Sequence, residues 1–225
     1  MKLLVLRPEP GASETAARAR EIGLDPVVAP LFGIEPVEAG SIDPGCFDAV
    51  LLTSANGARN APPGLTGLPC FAVGESTAAA ARAAGFADLR VGPADGSAAA
   101  AMIAAAGLRR AIHLCGRDHL AIEAPGVALE RRIVYAAEPL AAGPFEGPAV
   151  AMVHSARAGR RFAGLVRDRS SIRIAAMSPS VAEAAGTGWA CVAAARAPRD
   201  QALLELAAKL CNIAAQARKD RGNGL

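Results

Sequence analysis

The chain has 225 residues, more than the usual domain size of roughly 100–150, so one large or two small domains are expected. With 52% hydrophobic and 20% charged residues a sizeable core is available and disorder is excluded, while a net charge of +3 and no basic run with interleaved aromatics argue against nucleic acid. No apolar stretch reaches the roughly 18 residues of a membrane span, and the apolar run at the N-terminus is too short for a signal peptide.

In chain order a short apolar run, a turn and an Ala-rich helical stretch recur. Leu3–Leu6 predicts a strand, followed by Arg7-Pro8-Glu9-Pro10-Gly11 and a helix to about Ile22, stopped by Gly23. Val27–Phe32 is the expected second strand. Ala49–Leu52 leads into Thr53-Ser54 and a short helix over Ala55–Asn60. Cys70–Val73 leads into Gly74-Glu75-Ser76-Thr77 and a helix ending before Gly85. Asp95-Gly96-Ser97 opens a helix that stops at Gly107, and Ala111–Leu114 runs into Cys115-Gly116-Arg117-Asp118.

The second half restarts the pattern. Ala149–His154 precedes Ser155-Ala156-Arg157 and a helix to about Val166. Ile172–Met177 precedes Ser178-Pro179-Ser180 and a helix ending before Gly186. Cys191–Ala195 passes through Pro198 into a helix over roughly Asp200–Ala217, and Lys219–Leu225 reads as a frayed tail. Unbroken apolar strands alternating with helices imply parallel sheets covered on both faces.

Pro30–Glu38 and Arg132–Ala141 depart from the pattern: each is extended, contains proline and leads into no helix. Read as two crossings of one hinge, they make the middle of the chain one domain and its two ends another. A single contiguous split near 140 fits the periodicity equally well.

In parallel α/β sheets, ligands bind beyond the carboxyl ends of strands, where helix N-termini attract anions. Thr53-Ser54, Ser76-Thr77, Ser155 and Ser178-Pro179-Ser180 all fall at such ends, with Arg7, Arg117 and Arg157 in equivalent places. Helix capping explains any one of these hydroxyls alone. Four such turns together with the arginines point to an anion-binding cleft. Three Lys against twenty-one Arg also suits bidentate anion recognition, although a coding bias explains it as well.

No GxGxxG, GxxxxGK[ST] or GxSxG motif occurs, which removes support for dinucleotide, P-loop and hydrolase readings. His113, His119 and His154 lack zinc-type spacing, and His113 and His154 read as hydrogen-bonded core or edge residues. Cys46, Cys70, Cys115, Cys191 and Cys211 form no CxxC pair and read as reduced, mostly buried thiols. Glu75 is a dipole-favoured helix start and Trp189 a packing residue. Tyr135, the one tyrosine, lies in the second extended segment, where its hydroxyl is a candidate for the cleft.

Several of these stretches resemble uroporphyrinogen-III synthases: the LRPEPG start, Phe47-Asp48-Ala49-Val50-Leu51-Leu52-Thr53-Ser54-Ala55-Asn56, and Ala72-Val73-Gly74-Glu75-Ser76-Thr77. Leu114-Cys115-Gly116-Arg117-Asp118, Val134-Tyr135, His154-Ser155-Ala156-Arg157-Ala158-Gly159 and Ile174–Ser180 complete the set. The resemblance implies two parallel-sheet α/β domains, each flavodoxin-like, joined by a two-stranded β-ladder hinge. The first domain would take residues 1–35 and 143–225 and the second 43–130, with linkers at about 36–42 and 131–142.

It also implies a cofactor-independent cyclising lyase of tetrapyrrole and heme biosynthesis. Hydroxymethylbilane would close to uroporphyrinogen III through a spiro intermediate, with ring D inverted and water lost. By matching position, Thr53, Ser54, Gly74, Thr77, Ser155, Ser178 and Ser180 resemble the family's binding residues, joined by Arg7 and Arg117. Tyr135 resembles the tyrosine proposed to help the hydroxyl leave. Family turns often carry Thr where this chain has Ser180, and Arg or Lys where it has Asn56. The chain is expected to be a cytoplasmic monomer, with no nucleic-acid or membrane partner; a transient handover from hydroxymethylbilane synthase is a candidate interaction. The alternative is a non-catalytic two-domain protein that binds or senses an anionic small molecule.

Overall fold

The computed structural model describes residues 1–92 and 95–222, with the side chains of 214–222 outside the description. The chain divides into two compact units. One is Met1–Gly33 together with the chain from Pro139 onward; the other is Ile34–Glu138. Each holds a sheet built mainly of parallel strands, with helices.

In the first unit the strands are β1 (Lys2–Val5), β2 (Asp25–Val28), β9 (Ala149–Val153), β10 (Ile172–Ala176) and β11 (Cys191–Ala194). Their order is β11-β10-β9-β1-β2, and every neighbouring pair is parallel. β1 and β9 sit near the centre, and β9 is buried along its whole length, which explains its unbroken apolar sequence. Helix α1 (Gly11–Glu21) presents Ala12, Ala16 and Ala19, spaced by four and three, to Leu3, Val5 and Met152. Helix α7 (Asp200–Gly222) adds Leu203, Leu204, Ala207 and Leu210 to the same core.

Helices α5 (Ala156–Leu165) and α6 (Pro179–Ala185) pack on each other. Gly159 permits their close approach: a Cβ there would lie 3.1 Å from the Ala185 nitrogen. Phe162 stacks on Trp189 at 5.4 Å, and the indole Nε1 donates to the Ala185 carbonyl, which gives Trp189 the packing role expected.

The second unit holds β3 (Phe32–Pro36), β4 (Ala49–Leu52), β5 (Cys70–Val73), β6 (Leu89–Gly92), β7 (Arg110–Gly116) and β8 (Ala128–Pro139), in the order β3-β8-β7-β4-β5-β6. The four pairs from β8 to β6 are parallel. Helices α2 (Ala55–Arg59) and α3 (Glu75–Ala83) cover Val50, Leu52, Ile112 and Leu114; α4 (Gly96–Ala105) covers Ala49, Leu51 and Ala111. The alternation of strand side chains assigns each residue to its face.

Four local expectations change. Val27–Phe32 is not one strand: Pro30, with no N–H to give a ladder, separates β2 from β3, and the two belong to different sheets. Pro26 remains within β2 because β2 is an edge strand. Strand β6 is additional to the expected elements, since its two central residues, Arg90 and Val91, are exposed and leave no apolar run. Strand β8 starts four residues before Arg132 and is the longest strand described. The last helix runs past Ala217 to Gly222, so Lys219–Gly222 is helical; the rest of the expected tail, 223–225, lies outside the described residues.

Candidate active site

The expected site residues of the second unit lie at the carboxyl ends of the neighbouring strands β7, β4 and β5, and beside them Tyr135, inside β8, is the register partner of Gly116 at the end of β7. Ser54 is the N-cap of α2: in extended conformation its Oγ accepts from the Gly57 N–H at 3.0 Å. The same oxygen lies 3.0 Å from the Tyr135 hydroxyl. A capping hydroxyl that accepts from its helix still has its own hydrogen to give, so capping and ligand binding do not compete.

Tyr135 owes its position to two features of β7 and β8. The ladder pairs Cys115 with Ile133 but Gly116 with Tyr135, so Val134 is an extra residue that shifts the register. The phenol then lies against Gly116, where a Cβ would come within 2.6 Å of Cζ. Burial raises the Tyr135 pKa above its ordinary value, with the Ser54 hydrogen bond pulling the other way. The phenol therefore keeps its proton at neutral pH. Gly116→Ala is expected to displace the ring and lower turnover by about tenfold, at a stability cost of about 1–3 kcal/mol. Steady-state rates beside a thermal melt check it, and wild-type turnover would detach the Gly116 contact from activity.

On the opposite face of the sheet, Thr53 Oγ1 lies 2.9 Å from Nε2 of His113, a wholly buried residue of β7. Burial first, then His119 and Arg131, push the His113 pKa down to about 4, so the ring is neutral. His119 Nδ1 lies 3.0 Å from the Gly116 carbonyl and its Nε2 3.3 Å from Arg131. Gly74 opens α3 at φ +76°, a left-handed conformation that favours glycine, and Thr77 is buried in the first turn. Arg117 is exposed and ion-paired to Glu138 at 2.7 Å.

In the first unit, Arg7, Ser155, Ser178 and Ser180 stand at the ends of the neighbouring strands β1, β9 and β10. Ser155 caps α5 and Ser178 caps α6, each accepting from the N–H three residues on. Ser178 Oγ also lies 2.9 Å from Ser180 Oγ. Arg7 is held by Asp200 at 3.0 Å rather than standing free, and its guanidinium lies against Gly11. Asp200 also meets Arg18, Thr15 and His154.

The residues that sequence reasoning leaves out of the site are His113, Gly116 and Asp200. A polar side chain inside the apolar run of β7 is the one signal for His113. Nothing local marks Asp200 beyond its place at the start of a long helix.

Among known proteins, the family profile described as uroporphyrinogen-III synthase HemD matches residues 13–205. No curated protein matches the sequence. The solved uroporphyrinogen-III synthetase of Helicobacter pylori aligns with a TM-score of 0.64 at 15% identity, covering 93% of this chain and 98% of that one. A mutant uroporphyrinogen III synthase of Thermus thermophilus aligns at 0.51 and 15% identity, covering 91% and 96%. At such identity these two structures show a shared fold, while the profile spans most of the chain. The chain belongs to the uroporphyrinogen-III synthase HemD family.

Proposed function

We propose that this chain closes hydroxymethylbilane to uroporphyrinogen III, with Tyr135 as the acid at the leaving hydroxyl and the hydroxyl turns as carboxylate holders. Substrate and product differ by one water, so the conversion requires no electron transfer. A relay fits the hydrogen bonds: the Gly57 N–H donates to Ser54 Oγ, Ser54 donates to the phenol oxygen, and the phenol hydrogen is free for the substrate hydroxyl. The C–O bond breaks, the phenol proton leaves with the hydroxyl as water, and an azafulvene-type cation remains. The far pyrrole attacks it through its substituted carbon, and the spiro intermediate fragments and recloses with ring D turned. The proton released as the last ring regains aromaticity restores the phenol, so protons balance.

The linear precursor closes unaided to the non-inverted isomer, so the protein's main contribution is to favour one conformation and one attack position. Within the second unit Thr53, Gly74, Thr77 and Arg117, and within the first Arg7, Ser155, Ser178 and Ser180, are each read as groups suited to acetate or propionate side chains. Their helix N-termini, hydroxyls and guanidinium groups suit carboxylates. The two units are read as the family's two domains, with β3 and β8 as the two-stranded connection. Five free cysteines suit a reducing compartment, and we place the enzyme in the cytoplasm.

The observation that carries this reading is the Ser54–Tyr135 contact at the strand ends of the second unit. The test is to supply freshly made hydroxymethylbilane, oxidise the product and determine the isomer. Type III product is expected. Type I alone, as in the no-enzyme control, would end the proposal.

A further inference from the structure

We propose that His113 is a positioning residue for this reaction: its Nε2–H fixes the Thr53 oxygen and so turns the Thr53 hydrogen toward a substrate carboxylate. This rests on Thr53 being a substrate-binding hydroxyl. Thr53 continues the face of β4 that carries Ala49 and Leu51, and His113 stands on the same face of the adjacent β7, with Leu51 as its register partner. Against that face lies α4, which carries no charged side chain between Gly96 and Ala105. From β8, Arg131 is the register partner of His113, and the His119 ring stands 6.4 Å away, edge-on. Among the described residues those two are the titratable and charged groups at the ring, and both favour its neutral form.

A neutral imidazole has one N–H. Nδ1 is buried without a hydrogen-bond partner among the described residues, whereas Nε2 lies 2.9 Å from Thr53 Oγ1. A proton on Nδ1 would be a stranded donor, which buried structure avoids more strictly than a bare lone pair. The proton therefore belongs on Nε2, and the imidazole donates. A threonine that accepts this bond keeps its own hydrogen free to donate. Were the tautomer reversed, Thr53 would spend its hydrogen on the imidazole and offer an anion only lone pairs. Thr53 is then held from one face of the sheet by His113, as Ser54 is held from the other by Tyr135 and Gly57.

The experiment compares H113L, H113Q, T53V and the H113L/T53V double variant in steady-state conversion of hydroxymethylbilane. H113L is expected to raise KM about tenfold with little change in kcat, the pattern of a lost binding contact. H113Q, whose amide N–H can replace Nε2–H, is expected to stay within about twofold of wild type. The double variant is expected to be no worse than T53V, because both changes remove one unit. An unchanged KM in H113L beside a raised one in T53V would overturn the proposal and leave Thr53 in the site. An unchanged KM in T53V would remove Thr53 from binding, and the proposal with it. Should H113L not fold, H113Q against the shorter H113N decides: equal KM values overturn the inference. Nitrogen-15 NMR of the wild-type protein reads the tautomer directly, and a proton on Nδ1 would also overturn it.

Discussion

Replacing Asp200 by alanine is expected to lower stability by about 3–5 kcal/mol and the melting temperature by about 10 °C. The carboxylate is the common acceptor of a cluster drawn from four places in the first unit. It accepts from Arg7 at 3.0 Å, Arg18 at 2.5 Å and Thr15 at 3.1 Å, and it meets His154 Nε2 at 2.7 Å. Only 19% of its side chain is exposed. Alanine would leave two guanidinium groups and a mostly covered imidazole facing one another without the anion that joins them. It would also release the start of α7, whose Leu203 and Leu204 help form the core.

Glu75→Ala offers the contrast. Its bond to Arg82 measures 2.6 Å, but both side chains are more than half exposed, so less than about 1 kcal/mol is expected. The pH dependence has a definite sign. Burial raises the Asp200 pKa, but His154, Arg18 and Arg7 together outweigh it and hold the carboxyl far below the usual range. Its contribution is therefore fully present above the unfolded value of about 4 and is lost as pH falls below that toward the folded value. Melts of wild type and Asp200→Ala should converge on acidification. A difference under about 2 °C at neutral pH would show that the cluster does not stabilise the unit.

Much of this fold can be read in the chain because parallel strands buried on both faces are written as unbroken apolar runs. Ala49–Leu52 and Ala149–Val153 are such runs, and each ends in a hydroxyl that caps the next helix. Strand β6 escapes that rule because it lies at the edge, with Arg90 and Val91 turned out. Pro30 is visible as a break, yet no local property tells that the strands on its two sides join different sheets. The site divides along the same line. Ser54 and Thr53 follow from their place after a strand, since local geometry puts them there. The pairing of Tyr135 with Ser54 depends on a one-residue shift in the register of β8 against β7, and on Gly116 leaving room for the ring. The Asp200 cluster joins residues up to 193 positions apart, a separation over which periodicity carries no information.

Tyr135→Phe is expected to lower kcat by roughly ten- to a hundredfold while leaving measurable formation of the inverted isomer. The substitution keeps the ring that lies on Gly116 and removes one oxygen, so the packing at β7 and β8 should survive and melting should change little. On the proposed reading, what is lost is a proton donor at the leaving hydroxyl, the contribution general acids make. What remains on that reading is orientation by the hydroxyl turns, so the product should still be predominantly type III. Ser54→Ala should have a smaller effect in the same direction, since it removes the hydroxyl that lies 3.0 Å from the phenol oxygen. The pH profile separates this role from simple packing. An acid must hold its proton, and burial raises the Tyr135 pKa above its ordinary value near 10. Any loss of kcat assigned to this group must therefore come only as pH rises beyond that range, with no fall near neutrality. Wild-type turnover in Tyr135→Phe would remove the phenol from the chemistry. A shift to type I product at undiminished total consumption would instead give Tyr135 the role of selecting the attack position.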